Sequence, residues 1–180
     1  ACNIDKMLCS TFSSVLRTED VEEENEYMLG LSQKVDHLYQ WVVIDPRNKN
    51  TYAQADRMLD SAKCVGIKLH PPCHGYSFEE FGDELCSFAD ARRVIVQIHP
   101  ENAPDYILPF ANKYKNATFI MAHVCTHGQG NEDAIANAEN GNVYVDTSGI
   151  ASSRNKGIET VVEKVGSERI LFGTDTYASG

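Results

Sequence analysis

No stretch of this sequence approaches the ~20 consecutive apolar residues that a membrane-spanning helix needs. The first residues carry no signal-peptide pattern. No Gly-x-Gly-x-x-Gly follows the first apolar run, and no Walker-type phosphate loop is present; Gly128-Gln-Gly130 comes nearest and lacks the third glycine. The six cysteines (Cys2, Cys9, Cys64, Cys73, Cys86, Cys125) form no Cys-x-x-Cys pair. They read as reduced, mostly packed thiols, which places the protein in the cytoplasm. Positive charge is scarce: 16 Lys and Arg stand against 26 Asp and Glu, a formal net charge of -10. Such a chain repels a phosphate backbone, and no local basic patch offsets this, so nucleic acid is not an expected partner. Neither is a membrane.

What is present is ordinary globular composition. The 180 residues are 42% hydrophobic and 23% charged, enough for one sizeable core and too few for two typical domains. A single domain over residues 1–180 is expected. The acidic run at residues 19–26 reads as the solvated first turn of a helix.

Seven short runs rich in β-branched and apolar residues recur, at residues 4–12, 38–44, 65–70, 94–99, 118–123, 143–147 and 170–175. Their centres lie about 25 to 35 residues apart, the size of one strand-plus-helix unit. Several are apolar throughout, as in strands buried on both faces of a parallel sheet. Between them lie one-sided helical stripes: Val21, Met28, Leu31, Val35 and Leu38; Tyr52, Ala55, Leu59 and Ala62; Phe78, Phe81, Leu85 and Phe88; Ile107, Phe110 and Tyr114; Ile158, Val161, Val162 and Val165. Gly166 is the expected C-cap of the last. Alternating β and α units imply a parallel sheet with right-handed crossovers.

The polar residues favour a closed barrel over an open sheet. Four runs end in His70, His99, His123 and Asp175. In a (β/α) barrel the C-terminal strand ends surround one mouth, so residues distant in sequence converge there. Imidazole and carboxylate are the usual ligands of a catalytic zinc, which keeps one position open for water and lowers that water's pKa to about 7. A single histidine after a strand is more often structural, and Asp175 alone would also suit a helix cap; the coincidence of four carries the argument. His37, His74 and His127 lack that placement, and His37 reads as surface. His70 and His74 have ligand-pair spacing, but Pro71 and Pro72 are expected to prevent the helix that would align them. Period-two geometry places Lys68 with His70, Gln97 with His99, Met121 with His123, and Gly173 with Asp175 on shared faces. Lys68 then lies deeper in the barrel, as a structural partner of an acid, a substrate-carboxylate clamp or a carbamylated metal bridge.

At these residues the sequence resembles the amidohydrolase superfamily, specifically its amidohydrolase-2 (amidohydrolase-related) branch. The matching segments are GIKLHP at 66–71, VIVQIHP at 94–100, ATFIMAH at 117–123, NVYVDTSG at 142–149 and RILFGTD at 169–175, with VVIDP at 42–46 similar to the family's third strand. The resemblance implies an eight-stranded (β/α)8 TIM barrel and a divalent metal, zinc or alternatively manganese. It implies metal ligation by His99, His123 and Asp175, catalytic proton handling by His123 and Asp175, and substrate contacts from Lys68 and His70. The family's first strand carries His-x-His, and no His-x-His occurs in this chain. The sequence therefore reads as a barrel without its first strand and last helix, truncated at both ends, with further residues or a homodimer covering the open edge. The function implied is metal-dependent hydrolysis of an amide, ester or lactone in a small-molecule substrate. The alternatives are decarboxylation of an aromatic or unsaturated carboxylic acid, and a non-catalytic barrel fragment. A TatD-like nuclease shares the barrel, but the acidic charge and the Lys68–His70 pair argue against it.

Overall fold

The computed structural model describes residues 4–101, 104–126, 129–149 and 156–176; Cys2 and His127 lie outside them. Seven strands form one all-parallel sheet in the order β1 (Met7–Cys9), β2 (Leu38–Val43), β3 (Cys64–Leu69), β4 (Ile95–Ile98), β5 (Thr118–Met121), β8 (Val143–Asp146) and β9 (Ile170–Leu171). A small antiparallel pair, β6 (Cys125–Thr126) and β7 (Gln129–Gly130), interrupts the chain order after β5.

The helices are α1 (Phe12–Leu16), α2 (Val21–Lys34), α3 (Lys49–Met58), α4 (Pro71–His74), α5 (Phe78–Arg92), α6 (Leu108–Lys113), α7 (Glu132–Asn137) and α8 (Gly157–Val165). Their starts follow from local chemistry. Asp20 accepts from the Glu23 N–H at 3.0 Å, and the acidic run supplies the negative first turn of α2. Ser77 caps α5, and Gly166, at φ 83°, ends α8 as expected. Residues 4–12 were expected to be one strand. Thr11 instead accepts from the Ser14 N–H at 3.3 Å and opens α1, leaving only Met7–Cys9 paired. The expected absence of helix after His70 is also corrected. Pro71 and Pro72 occupy the first two positions of α4, where a missing N–H costs nothing.

The core lies between the sheet and its helices. Val42, Ile44, Ile67, Leu69, Val96, Ile98, Phe119, Met121, Val143 and Val145 face Phe78, Leu85, Ala89, Ile107, Ala111, Ile135 and Val161, all buried. Alternation puts Lys68, Gln97 and Asp146 on the opposite face. There Gln97 Nε2, on β4, donates to Asp146 Oδ2, on β8, at 3.0 Å, although β5 lies between the two strands. Neighbouring strands stand about 4.8 Å apart, so a side-chain bond across the intervening strand requires a curled sheet with this face concave. The seven strands are a curled (β/α) barrel wall, with the strand ends of interest at one rim.

Candidate active site

The β3 end contributes Lys68 and His70, both buried. Burial lowers the Lys68 ammonium, against the opposing pull of Asp146 and Asp175, which lie within its electrostatic reach. His70 caps α4: its Nδ1 accepts from the Cys73 N–H at 3.3 Å, and Cys73 Sγ stands 3.7 Å from its Nε2. Burial, then the charge of Lys68, pushes the His70 pKa down to about 4, so the ring is neutral at physiological pH. It stacks on His99, with centroids 4.0 Å apart and planes 13° from parallel.

His99 follows β4, where its N–H donates to Leu69 O at 3.0 Å and extends the ladder by one bond. His123 follows β5. Its Nε2 stands 3.2 Å from His99 Nδ1, with the rings near perpendicular at 78°. The expectation that Met121 and His123 share a face is overturned. Met121 packs in the helix-facing core, and strict alternation would send His123 there too. His123 has φ 68° instead, and this left-handed turn swings its ring to the rim.

Asp175 is exposed, with φ 52°. Regular pairing of the last run ends at Leu171, and Thr147 takes over: its Oγ1 accepts from the Gly173 N–H and donates to Gly173 O, both at 3.2 Å. Thus the structure gathers His70, His99 and His123 in direct contact, with Lys68 beneath and Asp175 within electrostatic reach of Lys68. His74 and His37 lie elsewhere. His74 is buried with Nε2 donating to Ser14 O at 2.9 Å, and His37 is exposed. The spacing of His70 and His74 makes no ligand pair, although α4 does form a helical turn.

Sequence reasoning missed Asp146, Ser148 and Gln97. Asp146 is buried; its Oδ1 accepts from the N–H groups of His123 at 3.1 Å and Ser148 at 3.0 Å, and from the Ser148 hydroxyl. Ser148 Oγ stands 3.1 Å from His123 Nδ1. The signal was available, since Asp146 is an acid at the end of a strand like the others. It was passed over because the apolar run was taken to close on Thr147.

The donor chemistry fits a divalent metal in part. Two imidazole nitrogens bound to one tetrahedral zinc stand about 3.3 Å apart, close to the 3.2 Å between His99 and His123. Among the described residues no three His, Cys, Asp or Glu side chains cluster to hold an ion. Among those residues, too, no helix is long and apolar enough to cross a membrane.

Several solved structures share this fold. One is 2,6-dihydroxybenzoate decarboxylase complexed with 2,6-dihydroxybenzoate, at TM-score 0.62 and 12% identity, covering 98% of this chain and 74% of that one. A Pseudomonas putida protein named as a 2-pyrone-4,6-dicarboxylic acid hydrolase gives TM-score 0.62 and 18% identity, over 86% of this chain and 63% of that one. The TatD homolog YJJV of Escherichia coli K12 gives 0.63 and 17%, over 95% and 67%. At these identities the likeness is one of fold, and it extends to a TatD homolog as well. No curated protein matches the sequence. The model of the family described as Amidohydrolase matches residues 10–179, nearly the whole chain, and the protein belongs to that family.

Proposed function

We propose that this chain forms the catalytic wall of a metal-dependent hydrolase acting on an amide, ester or lactone of a small molecule that carries a carboxylate. The observation that supports this reading best is the pairing of His99 and His123, nitrogen to nitrogen at 3.2 Å, at the rim above a buried lysine. His99, His123 and Asp175 would hold a divalent cation, zinc or manganese. When bound, the cation supplies Lewis acidity that brings water to a pKa of about 7. The chain's own groups do the rest. Lys68 binds the substrate carboxylate, because a desolvated ammonium gains most from an anion brought into the same dry site. The neutral His70 ring, held between Cys73 and His99, lines the substrate side. Asp175, or His123 at Nε2 where that nitrogen does not ligate the cation, accepts a proton from the attacking water and passes it to the leaving group.

Metal analysis of the purified chain tests the reading. Wild type is expected to retain about one divalent ion, and His99→Ala to bind at least about tenfold more weakly. Equal and negligible metal in both would leave only the non-catalytic reading. Lys68 would serve a carboxylate substrate equally well in decarboxylation. Carbon dioxide release from a panel of aromatic and unsaturated carboxylic acids, without hydrolysis of esters or lactones, would move the assignment to a decarboxylase.

A further inference from the structure

His123 is gripped on every polar atom. Its N–H donates to Asp146 Oδ1 at 3.1 Å, and its carbonyl accepts from Asn131 Nδ2 at 2.5 Å. Ring Nδ1 meets Ser148 Oγ at 3.1 Å, and ring Nε2 meets His99 Nδ1 at 3.2 Å. A Cβ at Gly149, where φ is +78°, would lie 2.6 Å from His123 Nδ1, so the ring also fills the space that only glycine leaves. The anchor of this arrangement is Asp146. It is 4% exposed, and its second oxygen is held by Gln97 Nε2.

The directions of these bonds are not free. A carboxylate only accepts. The Ser148 hydroxyl has a single hydrogen, and its short contact with Asp146 Oδ1 claims it. Toward His123 the serine oxygen therefore offers only lone pairs, and Nδ1 must carry a proton to donate to them. We infer that Asp146 and Ser148 are a positioning pair that fixes neutral His123 as its Nδ1-protonated tautomer, leaving Nε2 without a proton where it faces His99 Nδ1 at the rim. Neither residue touches the reacting atoms; both act through His123. The Asp146 backbone contact sets the left-handed turn that brings the ring to the rim, and the serine sets which nitrogen is basic. The opposite tautomer, which a free histidine side chain favours in water, would place the proton on Nε2, facing His99. It could neither take a proton there nor ligate a cation. Support of this kind behind a functional histidine fixes tautomer and ring orientation together.

The inference rests on the reading of His123 as a functional residue, but its test needs no activity. Metal-free protein labelled with 15N in histidine gives long-range 1H–15N correlations that distinguish the two neutral tautomers. Loss of one ring pattern in His123→Gln assigns it among the six histidines. Wild type is expected to show the Nδ1-protonated pattern at a pH where the ring is neutral. Ser148→Ala should lose it, and Ser148→Thr, which keeps the hydroxyl, should restore it. Cobalt titration should show Ser148→Ala binding about 10–100-fold more weakly, with the threonine variant close to wild type. An Nε2-protonated wild type overturns the inference, and so does an unchanged pattern in Ser148→Ala. If the alanine variant does not fold, the wild-type and threonine spectra still decide. Absence of cobalt binding in every variant, with the tautomer pattern as expected, would count against the metal reading alone.

Discussion

At single residues the rim is set by conformations that ordinary side chains resist. Gly149 combines a positive φ with a Cβ position pressed against the His123 ring. Gly149→Ala should cost about 1–2 kcal/mol from the left-handed backbone alone, read as a lower urea midpoint, and should displace His123 as well. His74 gives a pH prediction. Its Nε2 donates to Ser14 O, and its Nδ1 has no hydrogen-bond partner among the described residues. Burial lowers its pKa, and the charges of Arg17 and Arg47 add to this, outweighing the Ser14 bond and Asp45. The folded state therefore resists protonation more than the unfolded chain, where a histidine titrates near ~6.5. Stability should be intact above that pH and fall as the pH drops below it, because the unfolded state then binds more protons. His70, lowered to about 4, acts in the same direction. His74→Gln should flatten, without abolishing, the loss of urea midpoint between neutral and acidic pH; an unchanged profile would refute this role. At this scale the strand-end histidines were legible because a polar residue closing an apolar run is conspicuous. His123 reaches the rim by a route other than the expected alternation: period-two extrapolation cannot anticipate a left-handed residue, and nothing in Ala122-His123-Val124 announces one.

At the level of elements, side chains finish what the short outer strands leave undone. β1 pairs with β2 only as far as Cys9 and Gln40. Beyond that, Asn25 on α2 stands in for a strand. Its Oδ1 accepts from the Val43 N–H at 3.0 Å and its Nδ2 donates to Val43 O at 2.9 Å, while Gln54 Oε1 accepts from the same amide. Asn25→Leu would leave two buried backbone groups of β2 unpaired, at roughly 1–3 kcal/mol each. The expected result is a lowered denaturation midpoint and early amide exchange at Val43, ahead of the central strands. Exchange at Val43 no faster than at Ile67 would contradict it. Thr147 does the same for Gly173 beyond β9. These substitutions explain which elements the sequence announced. The central strands read cleanly because they are apolar on both faces. The outer runs at 4–12 and 170–175 overstated regular pairing, because a β-rich composition does not reveal where a ladder is handed to a side chain. The short helices α1 and α7 were missed for want of a full amphipathic stripe.

On the scale of the whole molecule, the sheet has two outer strands that each pair on one side only among the described residues. Beside β1, Ile4, Met7, Leu8 and Phe12 are 41–53% exposed, and beside β9, Leu171 is 39% and Phe172 79% exposed. Unpaired backbone next to exposed apolar side chains is a template for association. The formal charge of -10 opposes it by mutual repulsion. Salt screens that repulsion, with a Debye length of about 30 Å at 0.01 M and about 8 Å at 0.15 M, and leaves apolar contact intact. The 180-residue chain should therefore sediment as smaller species at low salt and associate as salt or concentration rises. Leu8→Lys with Phe172→Glu should suppress the salt-induced association while leaving the circular dichroism spectrum unchanged, since neither side chain belongs to the buried core. Sedimentation velocity across a salt series checks it. Association that weakens with salt would instead identify charge pairing between copies as the driving contact, and would remove the sheet edges from the account.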